Sequence, residues 1–583
     1  MAWIQYGALA LLALGLPGSA YAQRRPPAPP AGTVPVGEWQ LPGRDYGLTR
    51  FSPLGQISAT NVANLKPVWS FSTGSLRGHE GSPLVVGSTM YVHTPFPNAV
   101  FALDLARAGA PMLWKYEAPQ LPRAPAPLTG CCDVGSRGLA YHPSGKLFVP
   151  ILSGDLAAID AKTGKEIWRV RNADPKTGAT VASAPLVVKD LVIIGVSGAE
   201  YGVRGYLTAY DANSGRLVWR AYSTGPDTDV LIDGDANTQY PSHRGHDLGM
   251  SSWNGDDWRR GGATPSGWIS YDPDLDLIFY GTDQAGPANP ALRPGDNKWA
   301  QTIFARSSAT GKVKWAYQIT PHEEWGHGAA NESILVDLKM SGVPTKALVH
   351  FDRNGFAYTI DRAAGRVLLA EKYGPANWAQ RIDLGTGLPV RDGRYTTATA
   401  ARVTGVCPAS IGLKYLQPAA YAPTTGLFYV PVNNLCMDLD AAPVTFTLGQ
   451  PFLGVRIKAA TGPGGVRGRF LAWDATTGSI AWEIKEAFPV VSGALATAGG
   501  LVFYGTADGW LKAVDAVAGR ELWRFKTPSG IVSAPISFSG PDGRQYIAVL
   551  SGIGGWVGLG ANGATTDINA VTNTGGVLTV FGL

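Results

Sequence analysis

A short pattern, Ala-x-Asp-x-x-x-Gly-x-x-x-Trp, recurs along this chain and limits the folds that it can adopt. The complete copies begin at Ala158, Ala209, Ala472 and Ala513, and degenerate copies begin at Ala102, Ala305 and Thr359. Successive copies are separated by about 40 to 55 residues, or by about twice that. A repeat of this period is typical of radial arrays of four-stranded blades.

Each copy predicts a strand, a tight turn and a second strand. Apolar residues precede the Asp, the Gly provides a turn position with positive φ, and the Trp begins the following strand. One Trp in each blade can wedge between neighbouring sheets and bury a large area. We therefore predict an all-β fold, a β-propeller with tryptophan docking motifs.

The repeat also predicts the number of blades and the way the ring closes. The wide gap between Asp361 and Asp474 contains a hairpin without the Trp, at residues 421–430, which brings the predicted number of blades to eight. Residues 576–581 are expected to pair with an N-terminal strand near residues 68–71. This pairing would leave neither sheet edge open.

The N-terminal residues predict export. Residues 1–22 have the features of a signal peptide, with a short apolar run and the cleavage pattern Ala20-Tyr-Ala22. Residues 23–37 read as a Pro-rich tether, and residues 38–583 as a single propeller. The apolar run is too short to span a bilayer, so no membrane span is predicted.

Cysteine and charge patterns narrow the function classes further. The four cysteines, Cys131, Cys132, Cys407 and Cys436, allow three connectivities in an exported chain, and one of these is Cys131–Cys132 with Cys407–Cys436. Cys407 and Cys436 are the obvious second pair. The adjacent cysteines, Cys131 and Cys132, either form a disulfide that closes a strained ring or are two reduced thiols. The formal net charge of +5 is spread without a Lys/Arg run, so nucleic-acid binding has little support.

Several long segments resemble the quinoprotein alcohol dehydrogenases that use pyrroloquinoline quinone (PQQ), particularly the methanol dehydrogenase large subunit and its lanthanide-dependent relatives. The matching segments are residues 45–53, 77–85, 131–140, 198–204, 293–299, 350–355, 493–497, 526–530 and 551–556. The resemblance extends from about residue 38 to the C-terminus. It implies a periplasmic enzyme that oxidises an alcohol.

The resemblance also implies the cofactor and metal contacts. In this family the quinone lies flat between a vicinal disulfide, here Cys131–Cys132, and a Trp. The implied cofactor-binding residues are Glu80, Cys131, Cys132, Arg137, Ser197, Gly198, Ala199, Thr264, Arg353 and Trp556. Arg353 corresponds to the arginine at the reactive quinone carbonyls, where negative charge develops. Glu200 and Gln284 fall at metal-binding positions, and their oxygens suit a hard cation.

The chain departs from the family at several site positions. Gly326 occupies the position of the family's catalytic aspartate, and Gly328 occupies the position at which the lanthanide-dependent members have a second aspartate. The other departures are Ser266 and Val491 at Trp positions, Gln284 at an Asn position and Tyr415 at an Asn/Asp position. Without two carboxylates the site favours Ca²⁺ over a lanthanide. Without two indoles the pocket is expected to be larger, so the substrate should be bulkier than methanol.

Because the standard base is absent, the sequence leaves the base and the activity open. His327 is the nearest candidate by its ordinary pKa, although strand alternation would direct it away from the side of Gly326; Asp283 and Glu324 are the others. One interpretation is a dehydrogenase that passes electrons to a soluble cytochrome c, since the chain has no Cys-x-x-Cys-His haem motif. The alternative is a non-catalytic PQQ-binding propeller that acts as a carrier, a sensor or an inactive paralogue. The oligomeric state is open, with a homodimer as one option.

Overall fold

The computed structural model describes residue 1 and residues 34–119, 133–234, 236, 239–397 and 401–583. The predicted signal peptide after its first residue, most of the tether, and both Cys131 and Cys132 lie outside the described residues. No helix in the described part of the chain is long and apolar enough to cross a membrane.

Eight sheets of four antiparallel strands contain most of the strands of the described residues, and one of these sheets gains a fifth, parallel strand. Sheet 1 consists of Leu84–Val86, Thr89–His93, Val100–Asp104 and Met112–Tyr116; sheet 2 of Ala140–His142, Lys146–Ile151, Asp155–Asp160 and Glu166–Arg171; sheet 3 of Leu186–Val188, Leu191–Gly195, Tyr206–Asp211 and Leu217–Tyr222; sheet 4 of Ile269–Asp272, Leu277–Gly281, Thr302–Ser307 and Val313–Gln318. Sheet 5 consists of Ser333–Met340, Val343–Phe351, Phe356–Asp361 and Arg366–Lys372; sheet 6 of Ala420–Ala422, Leu427–Asn433, Gly468–Asp474 and Ser479–Glu486; sheet 7 of Ala494–Thr497, Leu501–Gly505, Trp510–Asp515 and Glu521–Lys526, with Phe51–Ser52 added; sheet 8 of Ile536–Ser539, Gln545–Ser551, Val577–Gly582 and Lys66–Ser72.

The smaller elements lie in the connections between these strands. Two small sheets consist of Ala379–Asp383 with Leu388–Arg391, and of Arg402–Val406, Leu435–Ala441 and Val455–Thr461. Short α-helices span Asp227–Val230, Leu248–Ser251 and Gly555–Gly558. Single 3₁₀ turns span Val62–Asn64, Pro175–Thr177, Ala199–Tyr201, Pro241–His243, Asp257–Arg260, Pro290–Leu292, Gly393–Tyr395, Ala561–Gly563 and Ile568–Ala570.

Sheet 8 contains both ends of the propeller. The strand Lys66–Ser72 pairs antiparallel with Val577–Gly582, so that Trp69 lies opposite Val580. The predicted pairing of the C-terminal strand with an N-terminal strand is confirmed. Because a strand from each end of the chain completes one sheet, the β-propeller fold closes without leaving the last strand's edge exposed.

The repeated Asp, Gly and Trp have distinct roles, which are clear where sheets 4 and 5 meet. The Asp361 carboxylate accepts hydrogen bonds from backbone N–H groups of its own turn. A Cβ atom added to Gly365 would lie 2.6 Å from Cδ2 of Trp315, and the Trp315 indole donates to the Arg362 carbonyl at 3.0 Å. The same packing pairs Trp168 with Gly215, Trp219 with Gly311 and Trp482 with Gly519. The Trp of one sheet therefore docks on the turn of the next, as the repeat predicts.

A disulfide links two neighbouring strands of the second small sheet. It links Cys407, just after the strand Arg402–Val406, to Cys436 in the neighbouring strand. The predicted pairing of these two cysteines is confirmed. The loop that it closes includes Ser410 and Tyr415, which contribute to the site described next.

Candidate functional site

One end of the propeller contains a cavity of about 250 Å³. Most of its lining residues come from the segments that precede the first strand of a sheet, such as Glu80 and Arg137, or follow the second strand, such as Ser197 and Arg353. Because these two strands are antiparallel neighbours, the start of the first and the end of the second lie at the same end of each sheet. The fold therefore brings residues that are far apart in sequence to one site.

Most of the residues implied as cofactor or metal contacts line this cavity. They are Glu80, Arg137, Ser197, Gly198, Glu200, Gln284, Arg353 and Trp556. Ala199 and Thr264 do not line it: Ala199 lies in the 3₁₀ turn that follows Gly198, and the Thr264 hydroxyl donates to Asp283 at 3.4 Å. Cys131 and Cys132 belong to the part of the chain that the structure does not describe.

An ion pair forms one wall of the cavity. The Nε atom of Arg137 lies 3.2 Å from Oε2 of Glu80, and its Nη1 donates to the Ser266 carbonyl at 3.3 Å. Burial raises the pKa of the Glu80 carboxyl, and the charge of Arg137 opposes that rise. A Cβ atom at Gly135 would lie 2.8 Å from Cδ of Glu80, so the backbone packs directly against the carboxylate. The guanidinium is thereby held at the cavity wall, where it can bind an anion.

Arg353 supplies a second fixed cation. Its Nη2 donates to the carbonyls of Ser410 at 2.6 Å and Gly326 at 3.1 Å, and its Nη1 lies 3.2 Å from Oδ1 of Asp283. The guanidinium carbon lies 5.1 Å from the centre of the Tyr415 ring. These contacts leave one orientation for the guanidinium, which can stabilise negative charge that develops in the cavity.

Three residues of the cavity wall have polar atoms that a ligand would satisfy. Oε1 of Gln284, Oγ of Ser197 and Nε of Arg353 are buried without a hydrogen-bond partner among the described residues. Buried polar atoms are rarely left unpaired, so these three indicate a polar ligand. The hydroxyl and guanidinium suit the carboxylates of a quinone cofactor, and the amide oxygen suits a hard cation.

The cation would depend on few protein carboxylates. Within the described ranges no group of three or more His, Cys, Asp or Glu residues is arranged to hold a metal ion. Glu200 and Gln284 both line the cavity, and they would supply oxygen ligands next to those of the bound cofactor. The residues present therefore fit PQQ and a hard cation together.

The structure does not support His327 as the base. Its side chain is fully buried and does not line the cavity; Nε2 faces the Pro408 carbonyl at 3.3 Å, and burial lowers its pKa to about 3. Glu324 is also buried outside the cavity and forms an ion pair with Arg391 at 2.6 Å. Of the three candidates, only Asp283 lines the cavity.

Sequence reasoning missed an apolar side of the cavity. Leu453, Val455 and Ile457 line it together with Leu152 and Ala288. Val455 and Ile457 belong to one strand of the second small sheet, and their spacing of two places them on the same face. This alternation was visible in the sequence, but nothing local indicated that the strand would reach the site.

The space beside Val491 is smaller than the sequence led us to expect. Val491 borders a separate cavity of about 30 Å³, which Tyr415 and Trp556 also line. The two rings meet edge to face at 5.9 Å, and burial raises the pKa of Tyr415 to about 12. The room gained at Val491 therefore holds about one water. Ser266 and Gly326, by contrast, line the larger cavity.

Known proteins resemble this chain over most of its length. A protein-family model described as "PQQ: Glucose/ethanol/alcohol dehydrogenase, beta-propeller domain" matches residues 39–376 and 482–547. The chain is 48% identical over 568 residues to the "Lanthanide-dependent methanol dehydrogenase" of Methylacidiphilum fumariolicum, covering 94% of this chain and 92% of the relative. It is 45% identical over 571 residues to "Methanol dehydrogenase [cytochrome c] subunit 1" of Methylorubrum extorquens, covering 94% and 91%. The solved structure of "Europium-containing methanol dehydrogenase" superposes with a TM-score of 0.91 at 47% identity, covering 94% of this chain and 98% of that one.

Proposed function

The chain belongs to the family of PQQ-dependent alcohol and methanol dehydrogenases, and on that premise we propose that it oxidises an alcohol bulkier than methanol to an aldehyde or ketone. In this proposal residues 1–22 direct export to the periplasm, residues 23–37 are a tether, and residues 38–583 form the single catalytic propeller. The enzyme class, a quinoprotein oxidoreductase, follows from the family.

One observation carries the proposal: a single cavity unites cofactor contacts with an apolar wall. The quinone, when bound, supplies the oxidising capacity. Arg137 and Ser197 would hold its carboxylates, and Arg353 would face the carbonyls that gain negative charge. Two carbonyls of the protein itself hold the Arg353 guanidinium, so its orientation costs little at the moment of reaction.

The substrate class follows from the shape and polarity of the remaining space. Ser266 and Gly326 line the cavity with small side chains where the family resemblance places a Trp and an Asp. Leu453, Val455 and Ile457 supply an apolar surface on the same cavity. An alcohol with a hydrocarbon chain or ring would bury apolar area there, about 25 cal/mol per Å². Methanol has almost no such area to bury.

We propose Ca²⁺ as the metal, held by Glu200 and Gln284. A relative at 48% identity is named as lanthanide-dependent, but Gly326 and Gly328 provide no carboxylate here. The charge of Asp283 is balanced by Arg353 at 3.2 Å. The site therefore offers too little negative charge for a trivalent ion, whereas a divalent ion needs less. Metal analysis of purified protein tests this choice, and stoichiometric lanthanide would contradict it.

The electron acceptor in the proposal is a separate soluble cytochrome c in the periplasm. The name of a relative at 45% identity includes cytochrome c, and this chain has no haem-attachment motif of its own. Its formal net charge of +5 would favour an acidic partner through long-range steering. A strong dependence of the electron-transfer rate on ionic strength is expected.

Reconstitution tests the whole proposal. Protein loaded with PQQ and Ca²⁺ should reduce an artificial electron acceptor in the presence of bulky primary or secondary alcohols, with kcat/KM higher than for methanol. If the protein binds the quinone stoichiometrically but turns over no alcohol in the series, the non-catalytic binding propeller is the correct interpretation.

A further inference from the structure

We propose that the Asp283 carboxylate accepts the proton of the substrate hydroxyl, in place of the carboxylates that are absent at Gly326 and Gly328. The inference rests on the proposed function, because it assigns a residue to the alcohol oxidation. It follows from three independent features of the structure: the position of Asp283, the space at Gly328 and the hydroxyl of Ser266.

Asp283 is held rigidly at the edge of the cavity. It lies two residues beyond the strand Leu277–Gly281, and its side chain is 13% exposed. Its backbone N–H donates to the Thr264 carbonyl at 2.9 Å, and its own carbonyl accepts from the Gln301 N–H at 3.1 Å. Oδ1 lies 3.2 Å from Nη1 of Arg353. The backbone and the ion pair together direct this carboxylate into the cavity that it lines.

The carboxylate of Asp283 fills the space beside Gly328. A Cβ atom built on Gly328 would collide with Oδ1 of Asp283, would lie 2.9 Å from its Cα, and would lie 3.2 Å from Nη1 of Arg353. A side chain at position 328 and the carboxylate at position 283 therefore exclude each other. At Gly326, by contrast, an added Cβ would meet only Cβ of Ser410, at 3.4 Å.

Ser266 fits the same arrangement. Its hydroxyl donates to Oδ2 of Asp283, and the Thr264 hydroxyl donates to the same oxygen at 3.4 Å. A Trp at position 266 would remove this hydroxyl and would bring a ring to the place where the carboxylate is bound. The departures at Ser266 and Gly328 thus lie in direct contact with Asp283, and the three positions form one altered site.

A carboxylate in this place can act as the base that accepts the alcohol proton, which is the role of the family's aspartate. As the O–H bond of the alcohol breaks and the C=O bond forms, the Asp283 carboxylate would take the hydroxyl proton. A bound quinone would supply the two-electron oxidant for the hydride that leaves the carbinol carbon. The donors Ser266 and Arg353 hold the carboxylate in one orientation at the cavity. Arg353 also donates to the carbonyl of Gly326, the residue at the position of the family's catalytic aspartate.

Substitution of Asp283 by Asn tests the assignment with readouts beyond activity. Asp283→Asn should lower kcat for a bulky alcohol at least about 100-fold, the low end for loss of a general base. Quinone affinity, measured by fluorescence titration, and the metal content should stay within about threefold of wild type. Asp190→Asn, at an exposed aspartate outside the cavity, is the matched control and should change none of them. A wild-type kcat in Asp283→Asn would overturn the proposal, and so would a loss of metal in proportion to the loss of activity.

Two further variants test the exchange of positions. Gly326→Asp in the Asp283→Asn background should restore turnover at least about tenfold, since position 326 has room for a side chain. No recovery would count against the proposal that Asp283 replaces a carboxylate at position 326.

Gly328→Ala should lower Tm more in wild type than in the Asp283→Gly background, because the Asp283→Gly substitution removes the clash with Oδ1. An equal loss of Tm in both backgrounds would overturn the steric argument. Wild-type protein that oxidises no alcohol would instead refute the proposed function, whatever the Tm values show.

Discussion

Nε of Arg137 and Oε2 of Glu80 lie 3.2 Å apart in a largely buried ion pair, although the two residues precede the first strands of different sheets. The pair therefore couples two loops at the cavity wall. Removing one member of such a pair leaves the other charge uncompensated, which is strongly unfavourable. The pair keeps its geometry only if both loops keep theirs.

We expect Arg137→Met to weaken quinone binding about 10- to 100-fold, because a charge-assisted hydrogen bond to a carboxylate contributes about 1.5 to 3 kcal/mol. Fluorescence titration of the apoprotein with PQQ measures the change in Kd. Arg171→Met is the control, since Arg171 pairs with Asp155 at 2.7 Å outside the cavity. Equal affinities for the two variants would remove Arg137 from the cofactor site.

The tryptophan docking motif makes a prediction about stability. Gly365→Ala places a Cβ against Trp315 at a residue with φ of +76°, whereas Gly426→Ala meets no atom within 4 Å at φ of +74°. The backbone cost, about 1 kcal/mol, is the same in both variants. The steric cost, about 1 to 3 kcal/mol, applies only to Gly365. Urea unfolding should therefore show a clearly larger loss for Gly365→Ala; equal losses would contradict the docking role.

The docking motif also explains why the fold could be predicted from the sequence. Asp361, Gly365 and Trp315 act through a turn and a contact with the adjacent sheet, so their pattern repeats at a fixed spacing. The closing strand, Val577–Gly582, was also predictable, because a ring of blades must join its two ends.

The details of the site depend on contacts that no sequence pattern records. Ser266, Asp283 and Gly328 meet only because three loops converge at one end of the propeller. His327 is adjacent to Gly326 in sequence, yet its ring points into the protein interior. Sequence proximity favoured His327, whereas the three-dimensional arrangement favours Asp283.

A buried histidine predicts how stability depends on pH. His243 packs against Trp299 and Tyr317 at 5.7 and 5.8 Å, and within the described residues neither ring nitrogen has a hydrogen-bond partner. Burial lowers its pKa to about 3. Because the unfolded chain binds the proton near pH 6.5 and the folded chain does not, the stability that His243 contributes is present above pH 6.5 and is lost as pH falls towards 3.

His243→Phe should remove that part of the acid sensitivity. Between pH 7 and pH 5 the free energy of unfolding of wild type should fall about 2 kcal/mol more than that of the variant, as measured by urea unfolding at both pH values. His246→Phe, at a side chain that is 71% exposed, is the control. Parallel pH dependence in wild type and His243→Phe would contradict the prediction.

The disulfide should stabilise both the fold and the site. Cys407 and Cys436 are separated by 29 residues, and closing a loop of that length contributes about 3 to 4 kcal/mol in the loop-entropy model. The double variant Cys407→Ser/Cys436→Ser should lose about that much in urea unfolding. Its quinone affinity should also fall, because the loop carries the Ser410 carbonyl that binds Arg353. A large loss of stability with unchanged affinity would show that the loop is held at the site by other contacts.

The apolar wall predicts which substrates a single substitution affects. Ile457→Ser removes apolar area from the cavity, so it should raise KM for 1-hexanol about 5- to 10-fold, corresponding to about 1 to 1.4 kcal/mol of lost burial. Ethanol cannot reach as much of that surface, and its KM should change less than about twofold. Ile480→Ser is the matched control, because Ile480 is 40% exposed on the last strand of sheet 6, outside the cavity. An equal rise in KM for both alcohols would mean that Ile457 supports the cofactor rather than the hydrocarbon chain of the substrate.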